Sequence, residues 1–221
     1  MKHLSIAFVC LIVLFTSFAC SMNTSEGKLL FGEKYSLAEF DEGSWEIRED
    51  LIVALEDIVV WAPGEYENFQ LEFEFANEAG TNSGIIVYCT DQENWIPNSV
   101  EIQIADDHGE KWGSERKDYQ CGAIFGHLPA NEQKVVLPPG EWNRMLITCQ
   151  GQVITVKLNG KKVTSMDMSE WTSGTTNPDG SEIPSWLPTP FAQLPTKGSI
   201  GFQGKHGDSS ITFRNVRIRE L

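Results

Sequence analysis

Acidic and polar side chains alternate with apolar ones in one short stretch, residues 98–112, which is dense in titratable groups. A period of two is typical of a half-buried β-strand, so Glu101 and Gln103 should share the face opposite the core. The run Asp106-Asp107-His108 follows in a predicted loop. Carboxylates and imidazoles serve as general acids, general bases and metal ligands. The stretch therefore predicts a site, with a solvated strand face as the ordinary alternative.

Histidine is the other residue type that could do proton chemistry here. His108, His127 and His206 remain once the N-terminal segment is set aside. The unperturbed pKa of imidazole lies near neutrality, so each ring could act as acid, base or metal ligand. A single histidine in a loop more often has no such role. We take His206 as the first candidate and His127 as the second.

The first residues have the pattern of an export signal. Lys2 precedes an apolar run over 4–15, and Ser17-Phe18-Ala19-Cys20 ends the segment. The run is shorter than the roughly 20 apolar residues of a membrane-spanning helix, and polar residues follow at once. Ala before Cys is the pattern of a bacterial lipoprotein, in which Cys20 would carry the lipid. The alternative is an ordinary cleaved signal in which Cys20 has no role.

We therefore predict a signal peptide over 1–19, a tether over 20–29 and one domain over 30–221. The expected location is the cell envelope, with contact to the membrane only through the lipid on Cys20. The formal net charge of −14 becomes −15 when the signal and its Lys2 are removed. Such a surface repels phosphate backbones, which argues against nucleic acid as a partner.

Three cysteines remain in the predicted domain, Cys89, Cys121 and Cys149. Their spacing matches no zinc-binding pattern. One disulfide between two of them, with the third as a free thiol, is a possible arrangement. Each lies in or beside an apolar run, which favours small buried side chains over redox or catalytic thiols.

Period-two alternation recurs along the chain, and helical periodicity is almost absent. It predicts strands over 45–48, 51–53, 69–75, 84–88, 100–104, 145–148, 153–158, 161–163, 200–203 and 211–218. Asn159-Gly160 is typical of a type I′ hairpin turn, and a change of phase predicts a bulge near Arg214-Asn215. We expect an all-β, antiparallel jelly-roll sandwich. A long loop containing Pro and Trp, between Asp167 and Lys197, should form a lid or rim.

Several blocks together resemble one family, the 3-keto-disaccharide hydrolase domain, also described as 3-keto-glucoside lyase and hydratase. The blocks are Thr81-Asn82-Ser83-Gly84-Ile85, Glu101-Ile102-Gln103-Ile104, Gly122-Ala123-Ile124-Phe125-Gly126, Gly140-Glu141-Trp142-Asn143-Arg144, Leu158-Asn159-Gly160, Gly198-Ser199-Ile200-Gly201-Phe202-Gln203 with His206-Gly207, and Phe213-Arg214-Asn215-Val216-Arg217-Ile218. The resemblance implies a concanavalin A-like sandwich, in agreement with the strand pattern.

The resemblance also implies a substrate, a small glucoside already oxidised to a ketone at C3. The ketone acidifies the C2 proton, so a base can form an enolate that expels the oxygen on C1. Water then adds to the unsaturated sugar, and the sum is hydrolysis. Such a site needs a base, an acid and an electrophile for the enolate oxygen, which a divalent cation could supply.

On this resemblance the candidate site has three parts. The catalytic candidates are Glu101, His206 and His127. The substrate-binding candidates are Gln103, Asn82, Tyr88, Gln203 and Trp112, with Tyr88 near a position where family members carry Arg. The metal candidates are Glu101, Asp106 and His108.

Two other functions fit the same sequence. A retaining glycosidase would use Glu101 and Asp106, which have the spacing of a Glu-x-Asp-x-x-Glu motif whose middle carboxylate is here Gln103. A non-catalytic glycan-binding module would instead need a sheet lined by aromatic side chains.

Overall fold

The computed structural model describes residues 27–31, 43–48 and 51–221. In these residues the strands are β1 (Lys28–Leu29), β2 (Trp45–Arg48), β3 (Leu51–Ala54), β4 (Val60–Trp61), β5 (Phe69–Asn77), β6 (Asn82–Cys89), β7 (Val100–Ala105), β8 (Asn143–Gln150), β9 (Val153–Leu158), β10 (Lys161–Asp167), β11 (Ser199–Phe202) and β12 (Ile211–Glu220). The helical elements are α1 (Glu110–Gly113) and 3₁₀ turns at Ile96–Asn98, Lys117–Tyr119, Met168–Glu170 and Phe191–Gln193.

The strands form two antiparallel sheets. The larger has the order β10-β9-β8-β5-β12-β3-β2, with β1 added beside β12, and the smaller has the order β4-β11-β6-β7. The predicted all-β jelly-roll sandwich is confirmed, and the predicted strands are all present. Sequence alternation missed β1 and β4, because a two-residue strand is too short to show a period.

The core lies between the two sheets and follows the alternation of the strands. In β5, Phe69, Leu71, Phe73 and Phe75 are fully buried, while the residues between them are partly exposed. In β7, the aliphatic side chains at 100, 102 and 104 are also fully buried. The predicted inward face of β7 is thereby confirmed, and its other face looks outward from the smaller sheet.

Two local features that the sequence predicted are present. Asn159 and Gly160 both have positive φ, at 50° and 82°, as a type I′ turn between β9 and β10 requires. In β12 the pairing with β5 shifts register between Arg214 and Arg217, and Asn215 has a φ of 54°. This bulge allows both halves of β12 to turn their apolar residues to the core.

The structure describes only part of the N-terminal segment for which the sequence makes predictions. The signal peptide over 1–19 and Cys20 lie outside the described residues. The predicted tether ends earlier than residue 29, because Lys28 and Leu29 pair with β12 and the next two side chains are buried in the core. In the part of the chain that the structure describes, no helix has the length and apolar character needed to cross a membrane.

The three cysteines of the domain are buried and free, as the prediction of small buried side chains requires. Burial raises the pKa of the Cys89 thiol to about 11 and that of Cys121 well above its ordinary value. These thiols therefore stay protonated near neutral pH and are poor nucleophiles.

A break in the alternation of β6 changes what the strand presents on each face. Tyr88 has a φ of 57°, and the register between β6 and β11 shifts at the same place. As a result Val87 and Tyr88 both point into the main core, whereas Cys89 belongs to a separate cluster on the outer face. Gly198 makes this possible, because a Cβ there would lie 2.6 Å from the carbonyl carbon of Tyr88.

We expect Gly198→Ala to destabilise the fold by roughly 2 kcal/mol or more, because the added methyl meets backbone atoms that cannot move aside. Gly180→Ala is the matched control, since its φ is +86° but no atom lies within 4 Å of the added Cβ. That variant should lose only about 1 kcal/mol. Urea unfolding measures both, and equal losses would contradict the steric argument.

Candidate functional site

An open cleft of about 720 Å³ lies on the outer face of the smaller sheet. Small-molecule sites in proteins usually have volumes of roughly 300 to 1,000 Å³. The floor of the cleft is polar and is formed by Asn82, Glu101, Gln103 and Gln203. The structure therefore brings the two outward residues of β7 together with two predicted substrate contacts.

Glu101 lies in the middle of the floor, opposite Ile86 in the antiparallel register. Its carboxyl group packs over Gly84, where any Cβ would collide with Oε1, so the glycine leaves the space that this side chain fills. The backbone carbonyl of Glu101 accepts a hydrogen bond from the N–H of Phe125 at 3.0 Å. Burial raises the pKa of the Glu101 carboxyl to about 8. At neutral pH most of this group is a carboxylic acid and can donate a proton.

One end of the floor is a group of amide side chains, hereafter the polar end. Gln103 is fully buried, and its Nε2 donates to Oδ1 of Asn82 at 2.7 Å. The Oε1 atoms of Gln103 and Gln203 are buried without a hydrogen-bond partner among the described residues. Unpaired buried acceptors are costly in a folded protein, so they indicate a place where a ligand donates hydrogen bonds.

His206 and Asp57 form a pair at the polar end. Nδ1 of His206 lies 2.8 Å from Oδ2 of Asp57, and both side chains are about half exposed to solvent. The backbone N–H of His206 donates to the carbonyl of Asn82 at 3.1 Å, which holds the pair beside the floor. In the neutral tautomer that donates from Nδ1 to this carboxylate, Nε2 is the nitrogen free to accept a proton. Gly204 allows this approach, since a Cβ there would collide with the backbone of residues 56–58.

Aromatic side chains line the cleft around this polar floor. On the β4 side, Trp61 packs with Trp95 in a cluster that also holds Ile86 and Cys89. On the β7 side, Tyr119 stacks on Phe125 with ring centroids 4.6 Å apart. Trp112 and Trp186 complete the aromatic lining. A flat ring or the apolar face of a sugar would find stacking partners here.

Comparison with known proteins assigns the class of this site. Residues 26–219 match the model of the 3-keto-alpha-glucoside-1,2-lyase-like domain. The chain belongs to this family. The resemblance seen in the sequence blocks is confirmed, and membership makes the chain a carbohydrate-active protein of the glycosyl hydrolase type.

Solved structures agree with the family. A provisionally assigned glycosyl hydrolase from Parabacteroides distasonis is 60% identical, with a TM-score of 0.86 over 89% of this chain and 100% of that one. A second such protein from the same bacterium is 24% identical, with a TM-score of 0.66 over 82% and 85%. The carbohydrate-binding module CBM66 from Bacillus subtilis is 11% identical, with a TM-score of 0.50 over 80% and 92%. These last two similarities show the fold alone. None of the curated proteins compared with the chain matches it.

Two of the predicted catalytic and substrate-binding residues do not line the cleft. His127 is buried, stacks on Phe191 with ring centroids 3.9 Å apart, and its Nδ1 lies 2.8 Å from the carbonyl of Phe125. Burial lowers the pKa of its ring to about 4, so it is neutral. Tyr88 points into the core because of its left-handed backbone and donates from its hydroxyl to the carbonyl of Gly151 at 2.7 Å. Neither side chain is placed to touch a ligand in the cleft.

The three candidate metal ligands, Glu101, Asp106 and His108, do not lie together in one site. The carboxylate of Asp106 accepts hydrogen bonds from the backbone N–H groups of Gly80, His108 and Gly109, so it closes a turn. Nε2 of His108 lies 2.8 Å from the carbonyl of Val136, and neither Asp106 nor His108 lines the cleft. Among the described residues no group of three His, Cys, Asp or Glu side chains could hold a metal ion. The residues predicted for a cation therefore do not fit one.

The long loop between β10 and β11 forms part of the rim, as the sequence indicated. Trp186 lines the cleft and is 55% exposed, whereas Trp171 is buried and donates from its indole N–H to Asn177. The loop is held to the domain where Asn177 donates to the carbonyl of Gly126. Asp57 is a site residue that sequence reasoning missed, because nothing in its local sequence signals a partner 149 residues away.

The raised pKa of Glu101 predicts a pH-dependent effect on stability. The native state holds this proton up to about pH 8, whereas the unfolded chain releases it near pH 4.5. Between these values the unfolded chain gains free energy by releasing the proton while the native state keeps it, so the fold loses stability progressively as the pH rises. Glu101→Gln should match the wild type at about pH 4 and be more stable at about pH 8. One pKa unit corresponds to about 1.4 kcal/mol, so the gain should reach a few kcal/mol.

Thermal unfolding across this pH range measures the effect. Glu170→Gln is the control, because it removes one carboxylate from an exposed surface turn. It should change the melting temperature little at any pH. A Glu101→Gln variant whose stability follows that of the wild type at every pH would show that Glu101 does not keep its proton.

Proposed function

We propose that the protein cleaves 3-keto-glucosides by removing the C2 proton, eliminating the C1 substituent and adding water, which sums to hydrolysis. The observation that supports this most is a largely protonated carboxyl group and a carboxylate-paired imidazole in one cleft of a 3-keto-alpha-glucoside-1,2-lyase-like domain. An acid and a base are what the elimination needs.

In the first stage His206 acts as the base. Its ring nitrogen takes the proton from C2, and the electrons of that bond form an enolate with the C3 oxygen. The enolate then returns its electrons to a C1–C2 double bond as the C1–O bond breaks. Glu101 donates its proton to the departing oxygen, so the alcohol leaves neutral and Glu101 is left as a carboxylate. Asp57 is a positioning residue that holds the tautomer of His206.

In the second stage the two groups exchange roles. The Glu101 carboxylate takes a proton from water as its oxygen bonds to C1. The imidazolium of His206 returns a proton to C2, and the 3-keto sugar is released. Both groups end in their starting protonation states, so the cycle needs no further reagent.

The amide side chains of the polar end bind the sugar. The unpaired Oε1 atoms of Gln103 and Gln203 accept hydrogen bonds from ring hydroxyls. Asn82 uses Oδ1 to accept from Gln103, which leaves its N–H₂ group to donate to the ketone oxygen. A donor at that oxygen stabilises the enolate as it forms. Trp112 lines the same cleft and packs against the sugar.

The cleft also differs in how well it fits a retaining glycosidase and a glycan-binding module. A retaining glycosidase needs carboxyl groups about 5 to 5.5 Å apart, and the expected partner of Glu101, Asp106, is occupied by backbone amides outside the cleft. A glycan-binding module is the stronger second candidate, because aromatic side chains line the cleft. Such a module would bind sugar and release no product.

We further propose that the protein works in the cell envelope, exported by the signal peptide over 1–19 and anchored through a lipid on Cys20. The support is the sequence of residues 1–26 alone. The acidic composition suits a neutral sugar substrate in that compartment.

The central experiment supplies the purified protein with 3-keto disaccharides, both α-linked and β-linked, and with the same unoxidised sugars. We expect cleavage of a 3-keto sugar only. Glu101→Gln and His206→Gln should each lower kcat/KM by at least about 10²-fold. His108→Gln is the matched control, an exposed imidazole outside the cleft that should leave turnover unchanged. Inertness towards every 3-keto sugar, with sugar binding retained, would favour the glycan-binding module.

A further inference from the structure

The end of the cleft opposite the polar end is apolar. We call it the aromatic end and define it by Trp61, Trp95 and Ile96. The register of β6 against β7 places Gly84 beside Gln103 and Ile86 beside Glu101, so Glu101 lies between the two ends. Beyond Glu101 on the same face, Ile86 and Cys89 form a buried cluster with Trp61, and Trp95 packs against it. Of these four side chains, the two tryptophans line the cleft. A glycoside lying along the floor with its sugar at the polar end would place its aglycone at the aromatic end.

Some apolar side chains at this end are not buried by the folding of the chain. Ile96 is 44% exposed and Trp95 is partly exposed, whereas Trp61 is buried. Trp186 of the rim, which also lines the cleft, is 55% exposed. Exposed side chains of this size cost hydration free energy unless a ligand covers them. Their position in one cleft beside a polar floor therefore indicates an apolar part of the ligand.

The polar groups near the aromatic end do not suit a second sugar or an anion. Gln92 already donates from Nε2 to the hydroxyl of Ser199 at 3.0 Å. The acidic side chains that line the cleft are Asp57, Glu93 and Glu101, and His206 and Tyr119 are its other ionisable groups. Among the residues that the structure describes, no Lys or Arg lines it. A second sugar ring would bury hydroxyl groups with few partners, and an anionic aglycone would meet carboxylates. A neutral aromatic ring needs only the flat apolar surfaces that are present.

We propose that the aromatic end binds a neutral aromatic aglycone, so that the substrate class is the 3-keto-glucoside of a phenol-like alcohol. This rests on the proposed function for the cleavage step, but the binding preference stands on the aromatic end alone. Phenols are also better leaving groups than sugar alcohols, so Glu101 has less proton transfer to complete when the C1–O bond breaks.

Calorimetry with unoxidised phenyl and methyl glucosides, each as α and β anomers, tests the binding preference without turnover. We expect the phenyl compound of one anomer to bind at least about tenfold more tightly than its methyl counterpart. Trp95→Ala should remove most of this ratio, and Trp95→Phe should retain it. Trp142→Ala is the control, because that ring packs against Arg214 away from the cleft. Equal affinities of the wild type for phenyl and methyl compounds overturn the proposal, as does a dimer that covers Trp95.

Turnover of the 3-keto derivatives then separates the two proposals. Faster cleavage of the phenyl 3-keto-glucoside than of a 3-keto disaccharide, measured as kcat/KM and with the ratio reduced in Trp95→Ala, supports both. Tight phenyl binding without cleavage of any 3-keto compound supports the aromatic end and overturns the lyase chemistry. Cleavage of the 3-keto disaccharide with no phenyl preference keeps the lyase chemistry and overturns the aromatic aglycone.

Discussion

The antiparallel register of β6 against β7 determines what the cleft contains. It sets Gly84 opposite Gln103 and Ile86 opposite Glu101, so the one position without a side chain lies where the Glu101 carboxyl packs. Because side chains alternate between faces, a slip of one residue would send Glu101 and Gln103 into the core and bring their aliphatic neighbours outward. The buried aliphatic residues at 100, 102 and 104 oppose that slip, since all three would lose their place between the sheets.

Burial of Glu101 links the stability of the fold to its chemistry. The fold accepts a carboxyl group whose pKa is raised to about 8, which lowers the stability of the native state at every pH at which the unfolded chain would ionise this group. The same burial supplies an acid at neutral pH, while in the proposed mechanism the solvent-facing pair of His206 and Asp57 supplies a base in the same cleft. Two titratable groups in different environments thus take opposite roles. One cleft can then both remove the C2 proton and protonate the leaving oxygen.

Much of the fold could be predicted from the sequence, because local patterns controlled it. Alternation in β5 and β7 predicted their inward faces, and Asn159-Gly160 and the phase change at Asn215 predicted a turn and a bulge. Prediction failed where tertiary contacts override alternation. The left-handed backbone at Tyr88 turned a predicted substrate contact into the core. The pairing of His206 with Asp57 arises from two segments distant in sequence that meet where Gly204 lets their backbones approach.

The pH dependence of kcat/KM for a 3-keto-glucoside, from about pH 6 to about pH 10, tests most directly whether Glu101 acts as the acid. After subtraction of the uncatalysed rate, we expect kcat/KM to fall above about pH 8, approaching tenfold per pH unit, as Glu101 loses its proton. The residual activity of Glu101→Gln should lack this fall. A rate that instead rises through pH 8 and loses that rise in Glu101→Gln would show that Glu101 acts ionised, as a base, and would contradict the account.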